Sequence, residues 1–179
     1  MIEAMNKIGL VILDIDGVLS DGKKYYGTDG MPFLKTFCDK DFTAIKRLKG
    51  SGVDVCFLSG DNRINEAMAK NRNIDFYYAR GKDKAHFLPL ISETYNIPTE
   101  DMVYVGDDLF DLTIMEAVGH SYCPKDSCKK IKELCGENTL ENNAGENVVA
   151  DLVEVLLDKK LIDDCTLKDI ENLDEKEVF

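Results

Sequence analysis

The sequence predicts an α/β protein built on a doubly wound parallel sheet. Three observations carry that expectation. Short apolar, β-branched runs recur along the 179 residues, at 8–13, 53–58, 74–78 and 102–105. Segments with apolar residues at three- and four-residue steps separate them, the alternation of a βαβ chain. Several of the runs stop on acidic or hydroxyl residues, at the strand ends where open α/β sheets hold ligands.

The first run, Ile8 to Leu13, reads as a buried central strand. It closes on Asp14-Ile15-Asp16-Gly17, with a second turn at Ser20-Asp21-Gly22. Aromatic and β-branched residues then lie on both sides of Gly27-Thr28-Asp29-Gly30, which predicts a β-hairpin over about 23–38. It leaves the sheet just after the aspartates and is placed to act as a flap. An exposed aromatic hairpin is an aggregation hazard in a monomer, and pairing with sister hairpins would remove it. Asp41 is the expected N-cap of a helix through Lys49, with Phe42, Ile45 and Leu48 on one side. A second strand over 53–58 ends in Ser59-Gly60-Asp61-Asn62, and a helix to about Arg72 puts Ile64, Ala67 and Met68 inward. A strand over 74–78 precedes a helical stretch over 82–95 that Pro89 should interrupt. The strand over 102–105 runs into Gly106-Asp107-Asp108-Leu109-Phe110-Asp111. Helices over 109–118, 126–134 and 147–157 and a short strand over 119–123 complete the pattern. Residues 1–157 form the one expected domain. Residues 158–179 are an acidic tail, either a last amphipathic helix or frayed.

Composition bounds the function. With 22 basic and 34 acidic residues the net charge is −12, which argues against nucleic-acid or anionic-membrane partners. An anionic substrate would need a site that is locally positive or bears a metal. No apolar run approaches the ~18 residues of a membrane span, and Met1–Asn6 leave no room for a signal peptide before the first strand. The six cysteines (Cys38, Cys56, Cys123, Cys128, Cys135, Cys165) lack CxxC spacing, which points to reduced thiols in a cytoplasmic protein rather than to zinc.

Two carboxylates around one apolar residue at a buried strand end are costly unless paired or bound to a cation. A turn with two solvated carboxylates is the plainer reading. The rest of the chain favours chemistry, because polar residues stand at four strand ends: Asp14 and Asp16, then Ser59, then Lys84, then Asp107, Asp108 and Asp111. In that order, DIDGVLSDG, Ser59, Lys84 and GDDLFD resemble the four motifs of the haloacid dehalogenase superfamily. The resemblance implies a Mg²⁺-dependent phosphatase working through an aspartyl-phosphate. In it Asp14 is the nucleophile and Asp16 the acid/base. Ser59 donates a hydrogen bond to a phosphoryl oxygen, and Lys84 neutralises phosphate and Asp14. Asp14, Asp107 and the backbone carbonyl of Asp16 hold the metal, and Asp108 and Asp111 orient that shell. The chemistry is coherent: a phosphate monoester must be neutralised before a carboxylate can attack it, and Mg²⁺ seeks hard oxygen ligands. The second aspartate favours phosphate transfer over dehalogenation, since a leaving halide needs no proton. Lys82 is a rival for the role of Lys84. His86 and His120 fit no catalytic spacing.

Superfamily members usually carry a cap domain. The intervals from Asp14 to Ser59 and from Ser59 to Lys84 are short here, so the hairpin is the only insert and the chain looks capless. The hairpin YYGTDG, VGDDLFD and the late AGENVVADLVEVLL resemble the phosphatases of 3-deoxy-octulosonate 8-phosphate and of nine-carbon 2-keto-3-deoxy sugar acid 9-phosphates. These are typically tetrameric, which implies a homotetramer with sites near subunit interfaces. The octulosonate branch usually has Arg where this chain has Asp61 and Glu146. Acidic residues at both positions favour the nine-carbon branch, with Asp61, Glu146 and Arg72 as expected substrate contacts and Lys70 as a further source of charge. The competing readings are an oligomerising module that kept the fold without the chemistry, as at the C-terminus of some acylneuraminate cytidylyltransferases, and a phospho-receiver. The third strand ends in Tyr78-Ala79-Arg80 without the Asp a receiver needs.

Overall fold

The computed structural model describes residues 7–178; the expectation for Met1–Asn6 lies outside them. β1 (Leu10–Leu13) is central, flanked by β4 (Asp54–Ser59) on one side and β6 (Met102–Val105) on the other. β5 (Asp75–Tyr78) and β7 (His120–Tyr122) take the edges, so the order is β5-β4-β1-β6-β7. All four pairings are parallel, and Leu13 stands level with Phe57 and Val105. The chain winds outward from β1 through β4 to β5, then returns to build β6 and β7 on the other side. That reversal puts a crevice at the carboxyl end of β1, where a ligand site is expected.

Side chains alternate across the sheet and meet two apolar layers. Val11, Leu13, Val55, Phe57, Val103 and Val105 face a layer that includes Phe42, Leu48, Val149 and Leu152. These belong to α1 (Asp39–Gly50) and α6 (Val148–Asp158). Leu10, Ile12, Cys56, Leu58, Met102 and Tyr104 face Ile91, Ile114 and Ile131, on α3 (Leu88–Tyr95), α4 (Leu112–Ala117) and α5 (Lys129–Cys135). Both sheet faces are covered, which is why the strands read as apolar runs without alternation. The predicted hairpin is present as β2 (Tyr25–Tyr26) paired antiparallel to β3 (Pro32–Leu34). Nothing else is inserted between the strands besides their helices and turns.

Two local expectations change, at Asp41 and in α2, and two more, at Pro89 and in the tail, are made specific. Asp41 does not cap its own helix, which starts at Asp39 behind Cys38. Its carboxylate instead accepts from Val149 N at 2.8 Å and Ala150 N at 3.2 Å. Those amides open α6, whose own N-cap residue Asn147 is left-handed (φ 66°) and makes no side-chain cap bond. The orphan donors of one helix are thus met by the first turn of another. In α2 (Arg63–Asn71) the buried residues are Asn65 and Ala69, while Ala67 is exposed. Pro89 marks a change of helix type: a 3-10 turn over Lys84–Phe87 passes into α3 at the point where a proline needs no donor. The tail is not frayed. α7 (Leu167–Asp174) opens with a Thr166–Asp169 capping box and lies along α1, where Lys46 pairs with Asp174 and Glu177. No described helix is long and apolar enough to cross a membrane.

Candidate active site

At the carboxyl edge of the sheet a cleft of about 1100 Å³ is lined by Asp14, Asp16, Ser59, Asp61, Lys84, Asp107, Asp108 and Asp111, among others. β1 ends directly on Asp14, which is buried. Its Oδ1 accepts from Ile15 N at 2.7 Å and its Oδ2 faces Lys84 Nζ at 2.9 Å. Lys84 comes from the turn after β5, and its ammonium also reaches Asp111 Oδ1 at 2.6 Å. Burial works against its charge, but Asp14 and Asp111 outweigh that and raise its pKa. Lys82, the rival, is exposed on the cleft wall over the Phe87 ring. The geometry therefore selects Lys84 as the partner of Asp14.

Asp111 is held from four directions. Oδ1 accepts from Lys84 and from the buried Tyr104 hydroxyl (2.6 Å), and Oδ2 accepts from the backbone N–H groups of Asp107 and Asp108. With its lone pairs so occupied, Asp111 orients the loop. Asp108 is exposed and caps the turn with Asp111 in a reciprocal box. Asp107 is half-buried and packs against Gly17, where a Cβ would meet its carboxylate at 2.0 Å. Gly17 also has φ +86°, so this contact and this backbone both require glycine. Ser59 Oγ accepts from Asn65 Nδ2 (3.1 Å) and Asp61 N (3.3 Å). It donates to no described residue, so its hydrogen remains for a ligand oxygen.

Asp14, Asp107 and Asp111 each bring a carboxylate oxygen within 4.8 Å of the others. Burial, with Asp111 adding, raises Asp14 to about 7 against the pull of Lys84. Burial and repulsion from Asp14 and Asp111 raise Asp107 to about 8. Three carboxylates against one ammonium leave a deficit of two positive charges in an all-oxygen site. That donor set fits a hard divalent cation. A testable consequence follows from the sign of these shifts. Both groups bind protons more tightly folded than unfolded, so without metal the protein loses stability as pH rises from about 4 through 7–8. Added Mg²⁺ should raise Tm more at pH 8 than at pH 5.5, where protons compete for the same oxygens. A Tm gain independent of pH would place the ion elsewhere.

The substrate contacts expected from sequence fare differently. Asp61 lines the cleft, but its Oδ2 lies 2.9 Å from both Lys24 and Lys35. Burial opposes its ionisation, yet hydrogen bonds from these two lysines dominate and lower it to about 2. Arg72 is turned to the far side of α2, where it stacks on Phe42 and pairs with Glu177 at 2.7 Å. It does not line the cleft, and Lys70 does not either. Glu146 is exposed outside it, although its neighbours Ala144 and Gly145 press against the turn at Asp21. Sequence reasoning missed Lys24, Lys35, Asn65 and Tyr104. Tyr104 sits in an apolar strand where its hydroxyl gives no signal, and the other three act through partners distant in sequence. Neither histidine lines the cleft.

A parallel sheet whose switch point gathers a buried aspartate, a second aspartate two residues on, a lysine and an acidic loop has the donor set that phosphoryl transfer with a divalent cation calls for. Comparison with known proteins agrees. A family model for haloacid dehalogenase-like hydrolases matches residues 61–153. The 3-deoxy-D-manno-octulosonate 8-phosphate phosphatase of Escherichia coli (strain K12) is 34% identical over 128 residues, 71% of this chain and 68% of that enzyme. The Yersinia pestis enzyme matches to the same extent. Among solved structures, the cobalt-bound octulosonate phosphatase of Haemophilus influenzae aligns with TM-score 0.79 at 27% identity, over 85% of this chain and 88% of that one. The Moraxella catarrhalis enzyme, solved with magnesium, phosphate and the sugar acid, aligns with TM-score 0.77 at 25% identity, over 94% and 90%. The chain belongs to the haloacid dehalogenase-like hydrolases, in their capless form, and is a phosphoric monoester hydrolase.

Proposed function

We propose that this protein is a Mg²⁺-dependent phosphatase of a phosphorylated 2-keto-3-deoxy sugar acid, acting through an aspartyl-phosphate. The observation that carries the reading is the buried Asp14–Lys84 pair, open to a cleft that also holds Asp16, Ser59 and Asp107. Asp14, Asp107 and the Asp16 backbone carbonyl would hold Mg²⁺, which would supply neutralisation of charge between carboxylate and phosphate. An Asp14 oxygen attacks phosphorus while the bond to the sugar oxygen breaks, and Asp16 gives that oxygen its proton. Water then attacks the same phosphorus, Asp16 takes its proton, and the bond to Asp14 breaks. Ser59 donates to a phosphoryl oxygen, and Lys84 balances phosphate and Asp14 throughout.

The choice between sugar acids is narrower than the sequence suggested. Preference for a nine-carbon acid rested on Asp61 and Glu146. Asp61 is neutralised by two lysines and Glu146 stands outside the cleft. With relatives named for the octulosonate, 3-deoxy-octulosonate 8-phosphate becomes the first substrate to test and the nonulosonate 9-phosphates the second. Initial rates of phosphate release on both, beside hexose phosphates and with Mg²⁺ or EDTA, decide. Turnover confined to the sugar acids and lost in EDTA is expected. Equal rates on hexose phosphates would sink the substrate class.

We also infer a homotetramer. The hairpin exposes Tyr25, Tyr26, Phe33 and Leu34, each 47–65% accessible, beside an uncapped cleft. Sister hairpins would cover both. Sedimentation should give four times the chain mass; a stable monomer would contradict this.

A further inference from the structure

The hairpin carries one residue behind the cleft wall, in contact with Asp16 and Asp61 of the lining, that the proposed reaction leaves without a task. Lys35 follows β3, and its side chain is 0% exposed. Three oxygens surround its ammonium: Asp16 Oδ1 at 2.7 Å, Asp61 Oδ2 at 2.9 Å and Asn65 Oδ1 at 2.9 Å. Asn65 closes a ring, since its Nδ2 donates to Asp16 Oδ2 at 3.0 Å. A lysine buried in this way is closed off from a substrate, and an unneutralised ammonium could not persist there. Both oxygens of Asp16 are thereby fixed, but differently. Oδ2 accepts a hydrogen bond from Asn65. Oδ1 meets the ammonium as an ion pair off the direction a hydrogen bond requires and accepts none.

We propose that Lys35 is a positioning residue for Asp16, holding its carboxylate in the proton-transferring rotamer, with Asp61 and Asn65 fixing Lys35 in turn. The idea rests on the phosphatase reading. It gives Asp61 a structural reason to be acidic: it is the second anchor of a flap lysine. It also ties the hairpin to the chemistry, because the side chain that orients the acid/base directly follows the hairpin's second strand.

The test separates the two half-reactions. With p-nitrophenyl phosphate the leaving group needs no proton, so transfer to Asp14 does not depend on Asp16, whereas hydrolysis of the aspartyl-phosphate needs it as base. In Lys35→Met we expect a burst of about one nitrophenolate per site, within about threefold of wild-type turnover in rate. Steady-state turnover should then fall about 100-fold, the scale of a general-base contribution. Asp61→Asn should show the same pattern, more weakly, and carries the test if Lys35→Met does not fold. A parallel fall of burst and turnover, a change in KM alone, or unchanged turnover would each overturn the proposal. If wild-type turnover persists in Asp14→Asn, the phosphatase reading fails and this inference with it.

Discussion

Asp14→Asn should leave a folded protein with turnover reduced by about four orders of magnitude or more, the scale on which removal of a nucleophile acts. The substitution keeps the volume of a side chain that is 10% exposed. Lys84 retains Asp111 at 2.6 Å, so no buried ammonium is stranded. Thermal melting within a few degrees of wild type, measured beside kcat, makes the loss chemical. The result has a direction that packing alone cannot give. An ionised Asp14 is disfavoured by burial, its carboxyl raised to about 7, and groups so shifted in a cleft cluster at functional sites. Residual turnover within tenfold of wild type would assign the attack to another group.

Lys84→Met should instead lose turnover and stability together. It removes the cation that, among the described residues, faces Asp14 and Asp111, in a site where both lysine and partners are buried. Breaking a buried pair from one side costs roughly 3–5 kcal/mol, because the remaining charge stays desolvated. Lys84 also holds down the carboxyl groups of Asp14 and Asp107. Without it both rise further, so the folded state binds protons still more tightly relative to the unfolded chain. The deficit in Tm should therefore be larger at pH 8 than at pH 5.5, and Mg²⁺ should recover part of it at pH 8. A pH-independent deficit that Mg²⁺ does not touch would mean that Lys84 is only packed there.

The site was legible in sequence to the degree that its residues announce themselves locally. Asp14, Asp16 and the Asp107–Asp111 loop stand at the ends of apolar strands, where carboxylates are costly without partners. The sheet was legible for the same reason, since strands buried on both faces read as unbroken apolar runs. What failed were readings that need the third dimension. Asp41 looked like a cap for the helix beginning beside it, but the amides it meets are those of Val149 and Ala150. Arg72 looked like charge available to a substrate, yet the tail returns along α1 and places Glu177 on it. Lys35 gave no sign because nothing near it in sequence says that Asp16, Asp61 and Asn65 converge on it.

The central claim is that phosphate passes through Asp14. Rapid quench of one turnover on 3-deoxy-octulosonate 8-phosphate with Mg²⁺, followed by borohydride reduction, tests it most directly. Reduction turns an acyl phosphate into the alcohol, so mass analysis should find homoserine at position 14 and at no other carboxyl residue. Turnover without that modification, or with it at Asp16 or Asp107 instead, would contradict the assignment of Asp14 as the nucleophile.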